Sequence, residues 1–217
     1  MTGALWKEVV RWARNHGYND IGRVVIYKSD NYPMSRLYRT DILIFCNALS
    51  EMSGLVPAYY TDETQTVVFR YSSWTYDKNL GVKWNAGYRL PTEAEWEKAA
   101  RGGVSGRRFP WGDTINLSQA NYYSGQYDPR YDYELSRRMG WGDLINRPFT
   151  GEPYTYPVGL FAPNGYGLYD TVGNVWELCW DNYGPYSSEP QKDPRGPDYS
   201  SESGSFGVLR GGSWESS

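Results

Sequence analysis

The sequence predicts an α+β domain, rich in loops, with about three helices and few short strands. Three observations carry this. Three stretches show helical periodicity with stop signals, and three short runs have strand character. The chain holds 24 Gly and 13 Pro among 217 residues, so it turns often. It also holds 21 Tyr and 10 Trp against 6 Phe. That surplus suits a loop-rich interior, where rings bury their bodies and hydrogen-bond their polar tips.

Residues 3 to 16 read as the first helix. Leu5, Val9, Trp12 and Ala13 fall at helical spacing and Gly17 stops it. Residues 18 to 35 are rich in turns, with a short apolar run from Val24 to Tyr27. Residues 39 to 53 form the second helix, which Gly54 stops. Pro57 to Tyr60 and Thr66 to Tyr71 read as two strands around the polar turn Thr61 to Thr64. The clearest local signal is PTEAEWEKAARGG. There Thr92 and Glu95 make a capping box, Glu93 and Glu95 lie in the first turn, and Lys98 and Arg101 lie in the last. Residues 104 to 162 read as loops, a length that points to function or a bound ion. Residues 183 to 206 read as a surface loop, and Val208 to Trp214 as a buried strand.

The chain is organised around Pro163 to Asp181, PNGYGLYDTVGNVWELCWD. Its glycines exclude a helix, and its large apolar groups exclude a solvated loop. An ordered, irregular core segment that buries its aromatics is expected. Irregular interior backbone leaves carbonyls in need of partners. Asp170, Gly173, Val175 and Glu177 could answer that need around one calcium ion, which takes carboxylates together with carbonyls. The alternative is an Asp and a Glu that merely cap surface turns.

Composition excludes several classes. The net charge of −3 and the lack of a Lys/Arg cluster give no field for nucleic acid. No run of 18 apolar residues spans a membrane. The N-terminal stretch is no signal peptide, because charges interrupt its apolar residues. His16 is the single histidine, which excludes His-rich metal sites. It is expected to cap the first helix or face water. Cys46 and Cys179 read as inert core, with one bridge or none between them. There is no phosphate-binding glycine loop, paired-cysteine zinc site or nucleophile elbow.

Four stretches together resemble the formylglycine-generating enzyme family, the sulfatase-modifying factor domain. They are GYRLPTEAEWEKAARGG (residues 87 to 103), FPWGD (109 to 113), NGYGLYDTVGNVWELCWD (164 to 181) and VLRGGSW (208 to 214). Ala120-Asn121-Tyr122, Pro157-Val158-Gly159 and the helix from Asp41 to Gly54 agree with it. The resemblance covers nearly the whole chain and implies one domain over 1–217. The implied fold is a variant of the C-type lectin fold with two calcium ions. One ion takes Asp170 and Glu177 by side chain and Gly173 and Val175 by carbonyl. The other site begins at Asn121 and the Tyr122 carbonyl, its acid being one of Asp128, Asp132 and Glu152.

The family's enzymes oxidise a sulfatase cysteine to formylglycine with oxygen and a copper ion held by two cysteines. Ser213 matches a serine of that active site. Two residues after Trp214, where the first cysteine is expected, stands Ser216. A serine hydroxyl is no soft ligand, so copper is not expected here. The family's strand before the first helix and its final arginine-rich strand are not seen, so the sequence resembles a fragment. Some bacterial members are variable binding proteins. The expected function is therefore a calcium-stabilised scaffold that binds a protein or peptide. The alternative is an active oxidase completed by sequence beyond Ser217.

Overall fold

The computed structural model describes residues 1–19, 21, 28–71, 80–122, 154–197 and 207–216. The apolar run from Val24 to Tyr27 and the candidate acids Asp128, Asp132 and Glu152 lie outside them. Three helices and four short strands occur among the described residues. This is the α+β, loop-rich class expected. The described residues fall into two compact units, Met1–Leu90 and those from Pro91 onward.

The first unit opens with α1 (Gly3–Arg14) and α2 (Arg39–Met52). The Thr2 hydroxyl accepts the Leu5 amide and starts α1. At the start of α2, the Asp41 carboxylate accepts the Tyr38 amide. The two helices share an apolar face. Trp6 stacks on Phe45 at 5.1 Å between ring centroids, and Val9, Ala13, Leu43 and Ile44 are buried. Cys46 lies buried on α2 with a free thiol, and burial pushes that thiol up to about 12. His16 sits past the end of α1, exposed, with Nδ1 2.8 Å from the Trp12 carbonyl.

The expected hairpin is corrected in its pairing. β1 (Tyr59–Tyr60) pairs antiparallel with β2 (Gly81–Val82). The stretch 66–71 adds a single bridge, Tyr60 to Val68, flanked by Phe69 N to Tyr59 O at 3.0 Å. Asn47 of α2 bonds the backbone of both stretches. Its side chain bonds Tyr59 O, Phe69 O, Ala58 N and Tyr59 N, all within 3.1 Å.

The second unit places α3 (Glu93–Arg101) against β3 (Glu177–Asn182) and β4 (Gly207–Arg210). The capping box forms as expected. Thr92 Oγ1 accepts the Glu95 amide at 3.2 Å, and Glu95 accepts the Thr92 amide at 2.9 Å. Gly102 takes the left-handed conformation that ends the helix, at φ 60°. The segment 163–181 holds α3 at both ends. Asp181 accepts the Glu93 amide at 2.7 Å, placing a carboxylate at the helix N-terminus. Asn164 donates to Ala99 O and Ala100 O, and its oxygen accepts the Tyr166 and Leu168 amides.

Three expectations for this unit need correction. The segment 163–181 is not irregular throughout, because its end is β3, paired antiparallel with β4. Its aromatics are not all interior: Tyr166, Tyr169 and Trp176 are 55%, 51% and 51% exposed, and Leu168 is exposed too. The C-terminal strand stops at Arg210, four residues before Trp214. Gly211 and Gly212 follow at φ 83° and 75°, where an extended strand cannot continue. Leu209 on that strand is exposed, while Val208 is buried.

Candidate functional site

Asp170, Gly173, Val175 and Glu177 stand on one short path into β3. Asp170 adopts φ 56° and Asn174 φ 66°, so the chain reverses sharply twice within five residues. Gly173 lies between them at φ 75°. A Cβ there would come within 2.3 Å of the Asn121 carbonyl oxygen, so this close approach of two backbones requires glycine.

The two carboxylates are set up differently. Asp170 Oδ2 accepts the Gly159 amide at 2.7 Å. Its Oδ1 is buried with no hydrogen-bond partner. Glu177 Oε2 accepts the Trp96 indole N–H. Burial raises the Glu177 carboxyl above the usual range; the Trp96 bond opposes this, and the nearby Asp170 charge adds to it. A buried orphan oxygen together with a carboxylate disfavoured by burial fits a hard cation, which would satisfy the one and neutralise the other. No group of three or more His, Cys, Asp or Glu that could hold a metal occurs among the described residues. A calcium site here would therefore draw on carbonyls as well as the two carboxylates.

Asn121 is buried and joined to the same path. It bridges Gly173 in parallel fashion, and its carbonyl accepts the Asn174 amide at 2.8 Å. Its Nδ2 donates to Tyr154 O at 2.9 Å. Tyr122 is half-buried, and its hydroxyl reaches Ile115 O at 3.4 Å.

Ser213 and Ser216 are brought together in one turn. Ser216 Oγ accepts the Ser213 amide at 2.9 Å, and the two hydroxyl oxygens lie 3.3 Å apart. Ser213 Oγ accepts the Glu215 amide at 3.2 Å, and Ser216 N donates to Ser213 O at 2.9 Å. Each hydroxyl oxygen thus serves the backbone of its own turn. Trp214 meets Tyr154 edge to face at 5.2 Å. A pair of hard hydroxyls does not fit copper(I), which selects thiolates. Cys179 is fully buried and in no disulfide; burial, then the carboxylates around it, push its thiol up to about 12. That thiol is a poor source of thiolate at neutral pH.

Sequence reasoning missed Asn174, Trp96 and Arg210. Asn174 is 1% exposed. The guanidinium of Arg210 lies 5.2 Å over the Trp96 ring and pairs with Glu97 at 3.1 Å, which steadies the indole that binds Glu177. An Asn after a glycine turn was a visible signal for a left-handed residue. Nothing local showed that it would be buried.

The model of the sulfatase-modifying factor enzyme 1-like domain matches residues 1–217. The chain belongs to this family. It is 41% identical over 147 residues to the formylglycine-generating enzyme of Streptomyces coelicolor, covering 65% of this chain and 40% of that protein. The chain thus spans about two fifths of that relative's length. It is 38% identical over 143 residues to the inactive C-alpha-formylglycine-generating enzyme 2 of Mus musculus, covering 65% of this chain and 36% of that one. Among solved structures it resembles Treponema denticola variable protein 1, with a TM-score of 0.67 and 28% identity, over 100% of this chain and 72% of that one. Family membership fixes the fold; the chemistry depends on the site.

Proposed function

We propose that this chain is a calcium-stabilised sulfatase-modifying factor domain that binds a protein or peptide beside the Ser213–Ser216 turn, without copper-cysteine oxidation. The observation that carries the proposal is the Ser216 hydroxyl, held by the Ser213 amide; the family resemblance implies a copper-binding cysteine at this position. Asp170, Glu177 and the Gly173 and Val175 carbonyls would hold the calcium. The ion would supply charge neutralisation and fixed geometry to the turn before β3, and no reaction step passes through it. Asn121 and the Tyr122 carbonyl would begin a second calcium site.

Two likenesses support a binding role. A relative of similar identity is named inactive, and a fold neighbour is named a variable protein. The exposed Tyr166, Tyr169 and Trp176 give the same unit amphipathic rings of the kind that protein interfaces favour. No described helix is long and apolar enough to cross a membrane.

The direct test is competition for copper(I) with a chromophoric chelator. The chain is expected to leave the chelator complex intact. Withdrawal of one copper per chain at neutral pH would refute the reading.

A further inference from the structure

We propose that Asn174 is a positioning residue that couples the Asp170–Glu177 cation loop to the Ser213–Ser216 turn, so that calcium occupancy sets the order of the binding surface. The inference rests on the calcium reading given under Proposed function and extends it to the regulation of that site.

Asn174 lies between Gly173 and Val175, whose carbonyls the calcium reading assigns to the ion. It is nearly unexposed, and every polar group it carries is engaged. Its amide donates to Asn121 O at 2.8 Å. Its carbonyl accepts the Trp214 amide at 3.1 Å, which reaches directly into the serine turn. Its Oδ1 accepts the Tyr156 amide at 3.0 Å and the Asn121 Nδ2 at 3.4 Å. Its Nδ2 donates to Tyr156 O at 3.3 Å. One residue thereby joins three separate stretches: Asn121, Tyr156 and Trp214. A second tie runs beside it, from Gly173 N to Gly211 O at 2.7 Å.

These bonds have fixed directions and leave no slack. Asn174 sits at φ 66°, a conformation that non-glycine residues hold at a cost and that its surroundings must maintain. Loss of the cation would leave Asp170 and Glu177 repelling each other across this turn, and the strained Asn174 is the residue that would relax. Its carbonyl would then swing away from Trp214, and Tyr156 would lose both of its bonds to the side chain. A ligand that needs the ordered turn would bind the calcium-loaded form more tightly, and the two affinities are linked reciprocally.

The test is amide hydrogen exchange at 154–156 and 212–216, in calcium and in chelator, beside calorimetric titration with calcium. In the parent chain calcium is expected to slow exchange at both places by about tenfold or more, the size of an ordinary coupling. Asn174→Gly keeps the left-handed backbone and removes the side-chain bonds. It is expected still to bind calcium, yet to exchange at 154–156 as fast in calcium as in chelator and to lose part of the protection at 212–216, where the backbone bonds alone remain to hold Trp214. Asn174→Asp keeps the Oδ1 acceptor and should retain the protection at Tyr156. Calcium binding with equal exchange in the two conditions in the parent would overturn the coupling and leave the calcium reading standing. Full protection in Asn174→Gly would overturn the role of Asn174. Absence of any calcium heat in the parent would overturn both readings. Should Asn174→Gly not fold, Asn174→Asp decides the role of Asn174: loss of protection at Tyr156 with the Oδ1 acceptor kept would overturn it.

Discussion

Asn47 spends its whole side chain on the backbone. Two N–H groups donate to Tyr59 O and Phe69 O, and the oxygen accepts the Ala58 and Tyr59 amides. These peptide groups are buried, so no water replaces the lost partner. Asn47→Ala is expected to destabilise the chain by more than about 2 kcal/mol, since each orphaned buried group costs about 1–3 kcal/mol. Urea unfolding measures this, and a loss near zero would show that the 58–69 backbone finds other partners. Asn47 and Asn174 share one lesson. Thr92 and Ser216 act on residues three positions away, within the reach of sequence reading. The two asparagines act on residues 11 to 53 positions away, and nothing in their neighbours announces it. Cys46 and Cys179 were legible as core because their neighbours are apolar.

At the scale of elements, the helices were legible, and β1 and β4 were placed in part, but no strand pairing was. α1, α2 and α3 each carry apolar spacing and end signals inside their own sequence. β1 takes a partner more than twenty residues away, over a register that no local pattern specifies. β3 hid for a different reason. Its buried positions include Asp181 beside Cys179, while Trp180 is only half-buried, so the polar-out rule is inverted. Asp181 is buried because it caps α3, a tertiary task. The α3 cap itself is local and easily tested. Thr92→Ala is expected to cost on the order of 1 kcal/mol, whereas Ser105→Ala, beyond the helix, should cost almost nothing. Equal losses from the two variants would show that the capping box does not stabilise α3.

At the scale of the molecule, the Tyr/Trp surplus was read as interior packing, and part of it stands at the surface instead. Tyr183 and Tyr186 are 78% and 80% exposed, in addition to the rings of the 163–181 segment. Ring counts report composition and cannot assign a side. The proposed calcium loop is suggested by carboxylate spacing and resemblance; the orphan Asp170 oxygen is the physical feature that the sequence could not supply. Bound calcium stabilises the folded state by mass action, by about 2.7 kcal/mol at 100-fold excess over its dissociation constant. For a chain of this size that corresponds to a chelator-induced fall in Tm of about 5–10 °C. Asp170→Ala should abolish most of this calcium dependence. An unchanged Tm on chelation of the parent would remove the stabilising role of the ion.

In the proposed reading, the Ser213–Ser216 turn stands in the family fold without copper chemistry. The measurement closest to that claim is mass spectrometry of a sulfatase-motif cysteine peptide after aerobic incubation with the copper-loaded chain. The expected result is the peptide mass unchanged, with the cysteine intact. Appearance of the formylglycine aldehyde with this chain would contradict the account, because Ser216 would then be no obstacle to the oxidation.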